Sequence, residues 1–371
     1  MDISQLKKIR ALGKLEEMAA VAHALDLYIT AGFSVHYKAS QALKNPDVES
    51  LIYHAVRQVL IELPMMFAVP IIAEGEETYF ARLPFIDLRT VISFAQRQNA
   101  IVNDGKGRDI ELDVTLQQQV NTNVKSDQGI VPVWRLVILY DSTDKQQFTA
   151  NFMVHHAIAD GASFQILHRA FHKALHGLSL HSGMPSQVEY IASSKNDDAI
   201  GPPLEAIHSL QIAEEAPQTD APKYNDWLGN ITELPNKTGY ATLTLSQSMH
   251  LRGSTLSSPR RYTYSNLPPT TESMDINIPV DIRSELPPKA VDGIISNSFD
   301  AFRTRVFRSD FYGQYSSELG DIWTAARKVQ ADTRSYFSRT RAFWRNVSQY
   351  CWLEERTQSA GLAQAHDWCA S

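Results

Sequence analysis

The chain has 371 residues, enough for two domains of ordinary size or one unusually large one. With 43% hydrophobic and 20% charged residues it has a globular composition, which excludes a disordered or fibrous protein. A formal net charge of −6 gives no support for a nucleic-acid or anionic-membrane binder, and neither partner is expected.

The first residues, MDISQLKKIRALGKLEEM, mix charges throughout and lack the apolar core of a signal peptide. Residues 48–63, VESLIYHAVRQVLIEL, place Val48, Leu51, Ile52, Ala55, Val56, Val59, Leu60 and Leu63 on one helical stripe. Pro64 stops that helix, and MMFAVPII reads as a short buried strand or extended turn. The apolar window 60–73 contains Glu62 and two prolines and is too short and broken to span a bilayer. LPFIDLRTVISFAQRQNA is expected to turn into a second helix, and 111–120 to be a polar strand or loop. Then come VPVWRLVILYD and QFTANFMVHHAI, joined by a short polar segment, which read as a hairpin. In the second, Phe148, Ala150, Phe152 and Val154 alternate with Thr149, Asn151 and Met153, as expected of a strand with one buried face.

After Gly161 the segment ASFQILHRAFHKALHG carries Phe164, Leu167, Phe171, Ala174 and Leu178 at helical spacing. Residues 179–225 are rich in Pro, Ser, Asp and Ala with little periodicity, as a crossover between domains would be. Short β-like pieces follow (GYATLTLS, RRYTYSNL), then MDINIPVDIRSELPPKAVDG as a strand and proline-rich turn. Residues 318–358 are predicted to be helical. Cys351 and Cys369 show neither a disulfide framework nor zinc-module spacing, and a reducing cytoplasmic setting is expected.

The chemistry concentrates in MVHHAIADGASF, residues 153–164, where strand hands over to helix. Histidine has an ordinary pKa near working pH and serves well as a general base for acyl transfer to an alcohol or amine. Adjacent residues of an extended segment face opposite ways, so only one of His155 and His156 faces a given cavity. Asp160 could orient the imidazole as a triad carboxylate does, or pair with an arginine and brace the motif. His168, His172 and His176 recur at four-residue steps, a spacing that could share a metal, but no carboxylate or cysteine completes the set and no metal is expected. Arg334, Arg339, Arg341 and Arg345 are either phosphate contacts or the wet face of a helix. No Gly-rich phosphate loop or nucleophile elbow is present.

The stretch PVWRLVILYDSTDKQQFTANFMVHHAIADGASFQILHRAFHKAL resembles the catalytic segment of the chloramphenicol-acetyltransferase-like superfamily, with its His-His-x-x-x-Asp-Gly motif. IRALGKLEEM, ALDLYITAGFSVHY and LPFIDL are most similar to its fungal alcohol O-acetyltransferase branch. The resemblance implies an α/β (α+β) fold of two domains, each a mixed β-sheet flanked by helices, with a channel between them. The expected division is 1–180 for the motif-bearing domain, 181–225 for the crossover and 226–371 for a second domain. That second domain is expected to be incomplete, because no Asp-Phe-Gly-Trp-Gly-like segment follows the last helix.

It further implies acetyl transfer from acetyl-CoA, or another acyl-CoA, to a hydroxyl of a hydrophobic small molecule of fungal secondary metabolism. The acyl-CoA is a co-substrate, no permanently bound cofactor is needed, and a monomer is expected. By the same resemblance His156 is the catalytic base and Asp160 the motif aspartate. Arg283, from IPVDIRSELPPKAVDG, is the arginine that Asp160 would meet. His155 is a structural neighbour, and Gly161 allows close backbone packing behind the base. The alternatives are a condensation-like enzyme using carrier-bound acyl groups and a shortened relative without catalysis.

Overall fold

The computed structural model describes residues 6–27, 30–38, 47–72, 77–99, 109–124, 130–141, 147–180, 187–195, 199–208, 270–310 and 322–338. They fall into two compact units. The first holds the described residues up to His208 together with Arg283–Ser298, and the second holds those of 270–282 and from Phe299 onward.

The first unit is organised around a four-stranded sheet of β2 (Ala31–Lys38), β8 (Gln147–Val154), β7 (Trp134–Asp141) and β6 (Ile92–Arg97), in that order. β8 is central and antiparallel to both neighbours, Ala31 pairing with Val154 on one side and Trp134 with Val154 on the other. The expected hairpin pairing of 134–141 with 147–154 is therefore present. β8 is buried on both faces, so its polar Thr149 and Asn151 are buried as well. Asn151 Nδ2 donates to the Val137 carbonyl, which offsets the cost of burying the amide. β6 joins β7 in parallel.

A second sheet combines β1 (Lys7–Ala11), β4 (Tyr79–Arg82) and β3 (Ala68–Ile71), and β5 (Phe85–Asp87) pairs with β9 (Ile191–Ser193). The helices of this unit are α1 (Lys14–Ala24), α2 (Val48–Glu62), α3 (Leu88–Val91), α4 (Ile110–Val120), α5 (Gly161–Leu180), α6 (Leu204–Ile207) and α7 (Pro288–Val291). α2 is the helix read from the sequence. Asp47 caps it by accepting from Ser50 N, and its Ile52, Ala55, Val56 and Val59 side are fully buried where it packs on α5. Trp134 is buried against this core, and its Nε1 donates to the Met66 carbonyl at 2.8 Å.

Two expected elements are corrected. The helix read after LPFIDL is a single turn, α3, followed by the strand β6. Asp87 caps the turn through Arg89 N, but the chain from β-branched Ile92 onward then runs extended along β7. The polar strand or loop read at 111–120 is the helix α4. Its apolar residues Ile110, Leu112, Val114 and Leu116 alternate as in a strand, yet Ile110 and Val114 are exposed and only Leu116 of the four is buried. Local chemistry decides: Asp109 accepts from Leu112 N, acidic Glu111 and Asp113 occupy the first turn, and helix-forming glutamines follow. The C-terminal turn is held by Arg135 of β7, which donates to the carbonyls of Gln119 and Thr122. Burial pulls that guanidinium down to about 10.

The second unit contains the antiparallel pair β10 (Ser273–Asp281) and β11 (Phe299–Phe307) and the helix α8 (Ile322–Ser338). Tyr336 anchors α8 to β11: its ring stacks on Phe302 and its hydroxyl donates to Asp300 at 2.7 Å. Burial raises the Asp300 carboxyl and also raises the Tyr336 phenol, which gains further from its bond to Asp300. The remainder of the helix expected over 318–358, the β-like pieces near 239–246 and 260–267, and both cysteines lie outside the described residues.

Candidate active site

β8 ends at Val154, and His155 N donates to the Val133 carbonyl to close the strand. Residues 156–158 form a turn in which Ile158 N donates to the His155 carbonyl, and Gly161 then opens α5. The turn is fixed by two bonds from outside it. Asn297 Nδ2 donates to the carbonyls of His156 at 2.9 Å and Ala157 at 2.8 Å.

The two histidines differ in their surroundings. Ala157 N donates to His155 Nδ1 at 2.9 Å, so the neutral His155 ring carries its proton on Nε2 and is an N–H donor there. His155 is buried, whereas His156 keeps part of its surface accessible. Burial among its neighbours holds the His156 imidazole below the usual histidine range, with its own carbonyl and the Asp160 charge pulling less strongly upward. At neutral pH the ring is therefore unprotonated.

Asp160 is 2% exposed. Its Oδ1 accepts from Ser163 N, Ser163 Oγ and Arg283 Nη2 at 2.9, 2.8 and 3.0 Å. Its Oδ2 accepts from Arg283 Nη1 and Ser298 N, both at 2.9 Å. The bond from Ser163 N is that of a helix N-cap, and a carboxylate at this end of α5 also suits the helix dipole. Arg283 is shared onward with the Ser296 carbonyl at 2.9 Å, and the same carbonyl, 2.8 Å from Ser163 Oγ, is the alternative acceptor for that hydroxyl's single proton. Among the described residues, Asp160 thus spends its hydrogen bonds on Arg283, Ser163 and Ser298. It acts on the imidazole of His156 as a nearby charge. This is the geometry of a brace rather than of a triad carboxylate.

Sequence reasoning had named Asp160 and Arg283 but missed Ser163, Ser296, Asn297 and Ser298. The three consecutive small polar residues Ser296–Ser298, directly after Ile294 and Ile295, were the available signal: buried polar runs need partners. The expectation for Gly161 is corrected. A Cβ placed there meets no atom within 4 Å and its φ is not in the left-handed region, so close packing does not require glycine.

The histidine series on α5 also resolves. His168 is buried with both ring nitrogens engaged, Nε2 on the Phe33 carbonyl at 3.0 Å and Nδ1 on the Tyr37 hydroxyl at 2.9 Å. Burial holds it at about 4, so it ties α5 to β2 as a neutral ring and is not available as a metal ligand. His172 and His176 lie on the exposed side. Arg334 is exposed on α8, and Arg339, Arg341 and Arg345 lie outside the described residues.

Beside the motif, within the first unit, is a cavity of about 340 Å³. Ala20, His23 and Ala24 of α1 form one wall, β3 and the segment before β7 form others, and His155 lines it from the end of β8. The rings of His23 and His155 are 4.2 Å apart.

A sequence profile of alcohol acetyltransferases matches residues 11–207, more than half the chain and the whole stretch that builds the four-stranded sheet and the motif. The chain belongs to the alcohol acetyltransferase family. It is also 33% identical over 341 residues to an Aspergillus fumigatus protein named "Probable alcohol acetyltransferase crmB", covering 87% of this chain and 73% of that one. The chain is accordingly an acyltransferase. Among solved structures it is similar to polyketide synthase associated protein 5 from Mycobacterium tuberculosis, at 15% identity and TM-score 0.47 over 92% of this chain and 76% of that one. It is also similar to the tallysomycin biosynthesis protein TlmII, at 14% identity and TM-score 0.35 over 46% of this chain and 36% of that one, so it spans little more than a third of that relative. Among the described residues no helix is long and apolar enough to cross a membrane.

Proposed function

We propose that this alcohol acetyltransferase moves an acetyl group from acetyl-CoA to a hydroxyl of a hydrophobic small molecule of fungal secondary metabolism, with His156 as general base. What supports the reading is the position of His156 in the turn between β8 and α5, with its ring partly accessible and kept neutral by burial, so that it is suited to accept a proton at neutral pH.

In this reaction Nε2 takes the alcohol proton as the oxygen attacks the thioester carbonyl. The C–O bond forms, and the tetrahedral intermediate collapses with cleavage of the C–S bond. The imidazolium returns its proton to the departing CoA thiolate. Both substrates meet at the base, so no acyl-enzyme is needed. Asp160 serves by holding the turn: with Arg283, Ser163 and Ser298 it fixes the start of α5, and Asn297 fixes the carbonyls of His156 and Ala157. Asp160 and Arg283 are in this reading positioning residues.

The test is continuous detection of free CoA thiol from acetyl-CoA across a panel of hydrophobic alcohols. Thiol release that depends on the alcohol and yields its acetate ester is the expected result. Release independent of every alcohol, with free acetate as product, would overturn it.

A further inference from the structure

Asn297 carries an open acceptor beside the candidate base. The residue is 3% exposed, and its Nδ2 is committed to two carbonyls, those of His156 at 2.9 Å and Ala157 at 2.8 Å. These bonds fix which end of the amide is which, because the reverse orientation would set an oxygen against two carbonyl oxygens. The other end, Oδ1, is buried, and among the described residues it has no hydrogen-bond partner. A buried acceptor left open costs free energy, so its surroundings call for a donor. The His156 imidazole is within its reach. Burial lowers the pKa of that ring, and its own carbonyl, the Asp160 charge and the Asn297 side chain pull it back up. Of the two ends of an amide it is the oxygen that favours a cation, so Oδ1 is the end turned to the ring.

Asp160 cannot fill this place. It supplies a nearby charge, but its oxygens are taken by Arg283, Ser163 and Ser298. His155, the other titratable neighbour, precedes His156 in the chain and accepts from Ala157 N. An imidazolium carries N–H on both nitrogens, so while one proton is shared with the reactants the other needs an acceptor. A bond to the charged ring is also stronger than one to the neutral ring. We infer that Asn297 is a positioning residue of the base: its Oδ1 accepts from the His156 ring and stabilises the imidazolium formed as the acceptor alcohol loses its proton. The inference rests on the reading of His156 given above. An amide suits this role better than a carboxylate. It steadies the cation without a charge that would protonate the ring at rest, and it also supplies the donors that hold the two carbonyls.

The test is the titration of His156 in the full-length protein, followed by NMR with labelled histidine, the His156 signal being identified by its loss in His156→Gln. Asn297→Leu copies the shape of asparagine without the acceptor, and Asn297→Asp keeps an oxygen at Oδ1 while losing both donors. The His156 pKa should fall by about one unit in Asn297→Leu and rise by about one unit in Asn297→Asp. With acetyl-CoA and an alcohol, kcat of Asn297→Leu should fall about tenfold. The acidic limb of kcat/KM should move down with the ring, and the KM for acetyl-CoA should be unaltered. A residue that merely ties the two carbonyls predicts equal damage in both variants with the pKa unmoved. An unmoved His156 pKa in Asn297→Leu therefore overturns the inference. Should Asn297→Leu not fold, the wild type decides. Its Asn297 amide signal, absent from Asn297→Asp, should shift with the midpoint of the His156 titration, and a signal that stays still through it overturns the inference. The titration needs no turnover, so a protein that acetylates no alcohol refutes the acetyl-transfer reading by itself, while the pKa of the ring still decides the bond.

Discussion

Removing Arg283 is the most informative perturbation of the scaffold, because its consequences can be worked out bond by bond. The guanidinium gives Asp160 two hydrogen bonds, at 2.9 and 3.0 Å, inside a region where the carboxylate is 2% exposed. Arg283→Ala leaves that carboxylate buried with Ser163 and Ser298 as its remaining partners, and breaking a buried pair in this way costs about 3–5 kcal/mol. Asp160→Ala removes the same pair together with the α5 N-cap, worth about 1 kcal/mol, and strands the Ser298 N–H. Its cost should equal or exceed that of Arg283→Ala. The double variant no longer holds an uncompensated charge, so its cost should fall short of the sum of the singles by about 2–3 kcal/mol. Urea denaturation of wild type, both singles and the double measures the cycle. Additive single costs, with coupling below about 0.5 kcal/mol, would show that Asp160 and Arg283 do not act as one unit.

Three further outcomes are expected. His168 has its pKa at about 4 in the folded chain, against an ordinary value of about 6.5. The unfolded chain therefore binds the proton more tightly, and the stability this group contributes is fully present above about pH 6.5 and lost as pH falls through 4. The loss between pH 7 and 4.5 should be about 2–3 kcal/mol, and His168→Gln should flatten that part of the stability profile; identical profiles for the two proteins would refute the assignment. The acidic limb of kcat/KM should lie below the ordinary histidine range, because burial lowers the pKa of His156; a limb above pH 7 contradicts a buried neutral base. Gly161→Ala should fold with unchanged or slightly raised stability, by up to about 1 kcal/mol, since nothing lies within 4 Å of the added methyl group. A marked drop in its melting temperature would show that the start of α5 does need glycine.

What could be read from the sequence follows from how local each signal is. The β8–motif–α5 handover was visible because Phe148, Ala150, Phe152 and Val154 alternate and Phe164, Leu167 and Phe171 then recur at helical spacing. α4 was misread because its alternating Ile110, Leu112, Val114 and Leu116 imitate a strand, while the deciding information lay in the Asp109 cap. The site partners were harder. Asn297 reaches the His156 carbonyl across 141 residues of chain, and Ser298 reaches Asp160 across 138. Neither carries a periodic signal, whereas Arg283 was reached only through a family resemblance. His23 gave no hint in the sequence of its approach to His155, because that contact depends on where α1 packs against the end of β8.

The central claim is that one imidazole, His156, removes the proton from the acceptor. His156→Ala, assayed for alcohol-dependent release of CoA thiol, should lose about 10²–10⁴-fold in kcat while still binding acetyl-CoA and melting cooperatively. A His156→Ala protein that turns over at the wild-type rate would contradict the account at its root.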